Sequence, residues 1–311
     1  MFEIPILLLV FNRPWYTKIV LEEVKKIKPA YIYVAADGPR NDKPGEKQVC
    51  DDVRNMVLTG IDWKCEVKTL FRNENLGCGK GVADAITWFF ENVEQGIILE
   101  DDVVPNQSFF LFCEAMLIKF KDDESVMHVS GNNFQLGQIG NDCYYLSRIP
   151  HSWGWATWKS AWDKFDFSLK YFNEDQIQSY FNDYLIDNHW HQVFQMTKKE
   201  WHKHVWDYQW IFAVFYNKGF SILPQSNLVS NIGFGLYSTH TTDTTNYLAN
   251  LKKYEMDINI GEAALIYDPV ADFNFHKLFL LEPMKPSKIN ITAKEALLIL
   301  LSKFKHKVGK I

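Results

Sequence analysis

The chain has 311 residues, of which 47% are hydrophobic and 23% are charged, as is typical of globular proteins. This composition excludes intrinsic disorder and collagen-like or coiled-coil architecture, and the length allows one large α/β domain or two smaller ones. The net charge of −5 gives no overall attraction to a nucleic-acid backbone, so we expect no nucleic-acid partner.

Short apolar runs alternate with helical patterns in the first hundred residues. In chain order, the predicted elements are a strand at 4–11, a helix at 16–27, a strand at 31–36, a helix at 46–57, a strand at 65–71, a helix at 79–92 and a strand at 96–99. This order predicts an α/β protein whose central sheet is mostly parallel, with helices on both faces. Ligands bind at the carboxyl ends of such strands, so the polar segments that follow the strands are the candidates for a site: 12–14, 37–40, 73–80 and 100–102.

Five scattered cysteines without CxxC spacing favour a reducing compartment and disfavour a structural zinc site. The apolar N-terminal run lacks a basic flank and a cleavage site and is shorter than the ~20 residues that span a bilayer. We therefore read it as a first buried strand and expect a cytoplasmic protein.

Tryptophan marks the second half of the chain, since eight of the 11 tryptophans lie between 153 and 210. Their flat faces suit stacking on sugar rings, and core packing is the alternative for each of them. We take Trp153, Trp155 and Trp206 as acceptor-side candidates. The chain then divides into an α/β half at 1–130, an aromatic-rich half of the same domain at 131–284, and a C-terminal helix at 285–311.

The segment 285–311 combines an apolar run, ALLILL, with seven lysines. This pattern is typical of a basic amphipathic helix at a membrane surface, which would place the protein at the inner face of the membrane. A terminal helix that docks its leucines on the body is the alternative, and both stay open.

Three consecutive carboxylates, Glu100, Asp101 and Asp102, end a buried hydrophobic strand. Adjacent carboxylates repel one another and are costly to desolvate unless a positive group lies among them. Mg²⁺ and Mn²⁺ prefer one or two carboxylates together with substrate phosphates, which suits a nucleotide diphosphate. An acidic turn at the start of the helix near Asn106 is the alternative.

A strand that ends in Glu-Asp-Asp resembles the metal motif of nucleotide-sugar-dependent glycosyltransferases with the GT-A fold, particularly those similar to N-acetylglucosaminyltransferase I. Further segments occur in the order that this family shows: PILLLVFNRP at 5–14, VAADG at 34–38, NLGCGK at 75–80, WGWATW at 153–158, VWD at 205–207, SNIGF at 230–234 and STH at 238–240. The likeness covers roughly 4–240 and implies a GT-A-like, Rossmann-like sheet.

The resemblance implies a role for several residues on the nucleotide side. Arg13 would lie beside the nucleotide, where its fork of donors suits phosphate or ribose oxygens. Asp37 would accept the N3 hydrogen of uracil, unless it is only a turn residue of the Asp-Gly-Pro sequence. Lys80 would reach a phosphate, although the P-loop spacing is missing.

The carboxylates take separate roles under the same resemblance. Asp102 would coordinate Mn²⁺ or Mg²⁺, Asp101 would contact ribose or a metal-bound water, and Glu100 would be partly structural. If the strand continues as far as Asp102, alternation points Glu100 and Asp102 to one side and Asp101 to the other. His240 would be a late ligand to metal or phosphate.

Asp207 lies among aromatic residues, where partial desolvation would raise its pKa and improve a general base. The resemblance gives it that role in an inverting transfer from a UDP-sugar to a saccharide or lipid-linked acceptor, and an N-cap is the alternative. Two other functions stay open. A sugar-1-phosphate nucleotidyltransferase would normally have glycines after the first strand, which Phe11-Asn-Arg-Pro14 lacks, and a carbohydrate-binding protein has no need of the three carboxylates.

Overall fold

The computed structural model describes residues 1–135, 143–173, 179–234, 248–258 and 267–281. The predicted C-terminal segment at 285–311 and His240 therefore lie outside the described residues. None of the helices in the described ranges is both long and apolar enough to cross a bilayer.

The helices and strands alternate along the first hundred residues as the sequence predicts. The strands are β1 Ile6–Val10, β2 Tyr31–Ala36, β3 Glu66–Phe71, β4 Gln95–Glu100, β5 Val103–Pro105, β6 Val126–Ser130, β7 Tyr144–Ser147, β8 Trp155–Trp158, β9 Phe220–Pro224 and β10 Val229–Asn231. The helices are α1 Pro14–Ile27, α2 Glu46–Gly60, α3 Gly77–Phe90, α4 Gln107–Lys119, α5 Lys159–Trp162, α6 Tyr184–Met196, α7 Asp207–Tyr216 and α8 Pro269–Leu281, with a π-helical turn at Thr197–Trp201 between α6 and α7.

Eight strands form one sheet in the order β3-β2-β1-β4-β8-β6-β9-β7. The first four are parallel neighbours, β8 is antiparallel to both β4 and β6, β9 is parallel to β6, and β7 is antiparallel to β9. Only β7 and β8 are reversed, so the mostly parallel α/β sheet is confirmed. Strands from both halves of the chain share it.

The alternating side chains of the inner strands divide the core into two layers. In β1, Ile6, Leu8 and Val10 pack with α1, α2 and α4 in one cluster, whereas Leu7 and Leu9 pack with α3 and α7 in another. Helices therefore cover both faces, as a parallel sheet requires. Because β1, β2, β3 and β4 are parallel, their carboxyl ends lie at one edge of the sheet.

A second, two-stranded sheet pairs β5 with β10 antiparallel, from Val103 opposite Asn231 to Pro105 opposite Val229. This pairing brings the segment at 230–234 beside the turn at 101–102, because β5 begins directly after that turn. The Ile232 N–H donates to the Asp102 carbonyl at 2.9 Å. Sequence analysis did not predict this sheet, since three-residue strands carry too little periodicity.

Candidate active site

A cavity of about 750 Å³ opens at the carboxyl edge of β1, β2 and β4, where the sequence predicts a ligand site. The loops after these strands and the first turns of α1 and α3 form its wall. The polar and aromatic side chains among its lining residues are Phe11, Asn12, Arg13, Trp15, Tyr16, Asp37, Arg40, Arg72, Asn75, Cys78, Glu100 and Asp101. Its volume lies within the usual range for small-molecule sites.

Arg13 joins the loop after β1 to the turn after β4. Its guanidinium forms an ion pair with Asp101 and a second one with Asp102, whose carboxylate oxygen lies 2.7 Å from Nη1. The Arg13 side chain is 17% exposed and the two carboxylates are less so. A fork of donors between two buried carboxylates is the geometry in which arginine forms its strongest pairs.

The condition for strand alternation at these carboxylates is not met. β4 ends at Glu100, and the next two residues form a turn, so the alternation stops there. Asp101 and Asp102 consequently approach the same guanidinium instead of opposite sides. Arg13 lines the cavity as predicted, while its charge is already partnered.

We call Glu100, Asp101 and Asp102 the acidic turn, and it carries more negative than positive charge. Burial, then the repulsion of Asp102, raises the pKa of Glu100 to about 8 against the opposing effect of Arg13. Burial also raises the pKa of Asp101 to about 6, although Arg13 lowers it. Burial and mutual repulsion thus disfavour full ionisation of Glu100 and Asp101, and a bound cation would relieve that repulsion.

Asp207 lies within electrostatic reach of this turn. Its charge contributes to the raised pKa of Glu100, and together with Glu100 it adds to the effect of burial in raising the pKa of the Cys78 thiol. Asp207 is the first residue of α7 and its carboxylate accepts the Tyr208 N–H at 3.0 Å. The helix start and the acidic turn are therefore neighbours, although Asp207 does not itself line the cavity.

Asp37 holds the start of α3 against the end of β2. Its carboxylate accepts N–H groups from Gly38 at 2.9 Å, Leu76 at 3.0 Å and Gly77 at 2.9 Å. Negative charge at a helix N-terminus is favourable. The structure thus gives Asp37 a structural role, and its predicted contact with uracil stays a prediction.

Glu46 is a buried carboxylate that the sequence analysis did not single out. It accepts from Asn12 Nδ2 at 2.9 Å, from the Arg40 N–H at 2.7 Å and from the Arg40 guanidinium. The hydrogen bond with Arg40 is the main reason why the pKa of Glu46 is lowered. Both partners line the cavity, so Glu46 fixes two parts of its wall.

Two of the three tryptophans proposed for the acceptor side are core residues, which corrects that interpretation. Trp155 is 1% exposed and Trp206 is 3% exposed. The Trp155 ring stacks on His128 at 4.9 Å and on Trp206 at 5.6 Å between ring centroids. Their faces are covered by protein and cannot stack on a sugar. Trp153 is only half-buried and stays a candidate.

Lys80 lies outside the cavity lining, whereas Gly233 lies against the acidic turn. Lys80 is exposed on α3 and does not line the cavity, so its phosphate contact stays a prediction. A Cβ atom on Gly233 would lie 1.9 Å from Asp102 Oδ2. Only glycine allows so close an approach, and the segment that leads toward 240 therefore begins against the Asp102 carboxylate.

No group of three or more His, Cys, Asp or Glu side chains is arranged to hold a metal ion among the described residues. Divalent cations at nucleotide sites need only one or two carboxylates, with phosphates supplying other ligands. The acidic turn meets that smaller requirement, because Asp101 and Asp102 share a single guanidinium and Glu100 directly precedes them. The donor set consequently fits a metal that binds together with a phosphate-bearing ligand.

No protein family and no curated protein matches this chain in sequence. Among solved structures, it is similar to HddC from Yersinia pseudotuberculosis, with 14% identity, 54% of this chain and 84% of that chain covered, and a TM-score of 0.34. It is also similar to mouse xyloside xylosyltransferase 1, with 10% identity, 68% of this chain and 81% of that chain covered, and a TM-score of 0.33. For the glycosyltransferase GlyE of Streptococcus pneumoniae TIGR4, the identity is 10%, 71% of this chain and 45% of that chain are covered, and the TM-score is 0.34. Likeness at this level assigns neither a family nor an activity.

Several lining residues were missed from the sequence, notably Trp15, Arg40, Arg72 and Cys78. Two of them, Arg40 and Cys78, belong to polar segments already marked as strand-following, and Arg72 directly precedes the segment 73–80, so their position at the edge was a usable signal. Trp15 gave no such signal, because one aromatic residue in a helical pattern reads as a packing residue.

Proposed function

We propose that this protein is a glycosyltransferase that transfers a sugar from a nucleotide diphosphate donor, UDP-linked, to a saccharide or lipid-linked acceptor. One observation carries the proposal. Asp101 and Asp102 pair with Arg13 at the carboxyl edge of the parallel strands, next to Glu100, beside a cavity of about 750 Å³ and within electrostatic reach of Asp207.

The cavity wall suits a diphosphate because Arg13, Arg40 and Arg72 line it. Guanidinium groups favour phosphate oxygens. The acidic turn alone would repel a diphosphate, so the phosphates need a cation between them and the carboxylates.

Mn²⁺ or Mg²⁺ would be that cation, with Asp102 as the direct ligand and Asp101 and Glu100 beside it. When bound, the metal neutralises the charge that develops on the leaving diphosphate. Arg13 holds Asp101 and Asp102 close together through its two ion pairs. His240 remains the proposed late ligand.

Asp207 is the proposed general base of an inverting transfer. It would remove the proton from the acceptor hydroxyl, because its carboxylate stands at the start of α7 on the same face of the sheet as α3. Trp153, half-buried and edge-on to Phe234 at 5.7 Å, is the remaining acceptor-side candidate. A single displacement from the face opposite the diphosphate would invert the anomeric centre.

The two rival functions fit these residues less well. A sugar-1-phosphate nucleotidyltransferase needs a glycine-rich basic loop after β1, where this chain has Phe11 to Pro14. A carbohydrate-binding protein would not need the buried acidic turn. It would also gain nothing from Trp155 and Trp206, which are in the core.

Ligand-induced stabilisation tests the proposal. The full chain is heated with a panel of nucleotides and nucleotide sugars, each with and without Mn²⁺, and the midpoint of unfolding is followed. A ligand present at 100 times its dissociation constant stabilises by about 2.7 kcal/mol. We expect uridine diphosphates to raise the midpoint only when Mn²⁺ is present. A panel without any such shift would reject the proposal.

A further inference from the structure

Trp15 has the highest exposed fraction of any aromatic side chain in the described ranges, at 70%. Such a side chain is normally at least partly covered, because burying an aromatic ring is strongly favourable. Trp15 also lines the cavity. An uncovered aromatic ring in the wall of a ligand site is a surface prepared for a flat ligand group.

The backbone at Trp15 is held rigidly. It lies in the first turn of α1, between Pro14 and the buried Thr17, whose N–H and hydroxyl both donate to the Arg13 carbonyl. The buried face of α1 contains Thr17, Val20, Leu21 and Val24. Trp15 lies on the opposite, exposed face with Lys18 and Glu22, so the helix presents the ring at a fixed position.

Two of the three arginines in this wall have carboxylate partners. Arg13 pairs with Asp101 and Asp102, and it also lies over the Tyr16 ring at 5.7 Å. Arg40 pairs with Glu46. Phe11 and Tyr16 also line the wall but are half-buried, so Trp15 is the most open aromatic surface there for an uncharged, planar portion of the ligand.

The position of α1 indicates which portion of a nucleotide sugar would lie beside Trp15. α1 packs on the sheet face that carries Ile6, Leu8 and Val10, whereas α7, which begins at Asp207, packs on the other face. The sugar to be transferred must approach Asp207. The opposite end of a nucleotide sugar is its base, and this end would meet α1.

We infer that Trp15 stacks on the nucleobase of the donor and supplies affinity that does not depend on which base is present. The inference rests on the proposed function. Every base has a π-face, so stacking tolerates all of them, while discrimination among bases would fall to a hydrogen-bonding group such as Asp37. Loss of a stacking aromatic residue typically weakens binding roughly 5- to 150-fold.

The test compares Trp15→Ala, Trp15→Phe and the control Tyr31→Ala in the full chain, by calorimetric titration with UDP, CDP and inorganic pyrophosphate in Mn²⁺. Tyr31 is exposed at the start of β2 and does not line the cavity. We expect Trp15→Ala to lower the affinity for UDP and for CDP by the same factor and to leave the affinity for pyrophosphate unchanged. The unfolding midpoint should also stay unchanged. Trp15→Phe should retain part of the affinity, and Tyr31→Ala all of it.

Other outcomes overturn the inference in distinguishable ways. Unchanged UDP binding in Trp15→Ala rejects the stacking role while the proposed function stands. An equal loss for pyrophosphate shows that the ring acts on the phosphate region. A loss seen only with UDP-sugars, and not with UDP, shows that the ring stacks on the sugar. A wild-type chain that binds none of the nucleotides rejects the proposed function together with the inference.

Discussion

The Arg13 guanidinium, from the loop after β1, lies 2.7 Å from a carboxylate oxygen of Asp102, from the turn after β4. Because Asp101 contacts the same guanidinium, one cation holds two consecutive carboxylates at the edge of the sheet. A buried carboxylate without such a partner would be costly. The pair therefore preserves in the folded chain the negative charge that a divalent cation and its nucleotide would use.

Asp102→Ala is expected to abolish the Mn²⁺-dependent part of UDP binding and to leave the chain folded. The substitution removes the proposed metal ligand, and Asp101 still partners Arg13. Calorimetric titration of UDP with and without Mn²⁺ measures the effect. The matched control is Asp163→Ala, which removes an exposed carboxylate paired with Lys159. Unchanged UDP affinity in Mn²⁺ would show that the metal assignment is wrong.

Asp37→Asn is expected to lower the free energy of unfolding by about 1 kcal/mol, as is typical for a lost helix-capping contact. The amide has one acceptor oxygen, whereas the carboxylate accepts N–H groups of Gly38, Leu76 and Gly77. Urea denaturation measures the change, with the exposed Asp84→Asn as control. If Asp37 also contacts uracil, the substitution should lower the affinity for uridine nucleotides more than the affinity for cytidine nucleotides. An equal loss for both would leave Asp37 with its structural role alone.

Asn132 and Asn133 are adjacent and both buried, but they differ in whether their side-chain amides form hydrogen bonds. Both amide atoms of Asn132 are without a partner within the described chain, whereas Asn133 donates to the carbonyls of Pro224 at 2.9 Å and Gln225 at 2.7 Å. Asn133→Leu should cost about 1–3 kcal/mol, because it leaves buried carbonyls unsatisfied. Asn132→Leu should be neutral or stabilising in the same denaturation assay. Equal destabilisation by both substitutions would contradict this reading of Asn132.

His128 is fully buried and neutral, and its tautomer is fixed by its neighbours. The Trp210 indole N–H can only donate, so Nδ1 of His128 accepts it at 3.1 Å and the proton resides on Nε2, which lies 3.0 Å from the His151 carbonyl oxygen. Burial lowers the pKa of His128 to about 3. Burial likewise lowers the pKa of His151 to about 3 and that of His276 to about 4, and each of the two also has a histidine neighbour that adds to the shift.

These lowered pKa values predict loss of stability in acid. Above pH 6.5, the ordinary value for histidine, the three side chains are neutral in both states and contribute no pH dependence. As the pH falls below 6.5, only the unfolded chain binds their protons, so stability decreases by about 1.4 kcal/mol per pH unit for each histidine until the folded pKa is reached.

His128→Gln should remove one histidine's share of that slope between pH 6 and pH 4, measured by urea denaturation at several pH values. The amide can still accept from Trp210 and donate to the His151 carbonyl. The exposed His204→Gln is the control. A slope that His128→Gln leaves unchanged would show that this residue is protonated in the folded chain.

The sequence predicted the first half of the fold well, because each element there has a strong period. β2 was placed at its observed bounds, and the strand-following segments do meet at one edge of the sheet. Buried parallel strands flanked by amphipathic helices leave little ambiguity in apolar spacing. The candidate site at this edge could be predicted from the sequence for the same reason.

The second half of the fold was harder to predict from the sequence, because tertiary contacts determine where its residues lie. Trp155 and Trp206 are adjacent in space only because β8 inserts antiparallel beside β4 and because α7 covers it. The buried contact of Glu46 with Asn12 joins residues 34 positions apart. Neither relationship leaves a local pattern, so composition alone could not separate a core tryptophan from a ligand-facing one.

Release of free UDP from a UDP-sugar tests glycosyl transfer most directly. The full chain is incubated with Mn²⁺, a UDP-sugar panel and simple glycosides as acceptors, and the products are resolved for wild type and for Asp207→Asn in single turnover. We predict free UDP from the wild type and transfer slower by roughly 10²- to 10⁴-fold in Asp207→Asn, with donor affinity retained, since the amide cannot take the acceptor proton. Release of pyrophosphate, release of nothing, or wild-type transfer by Asp207→Asn would contradict this mechanism.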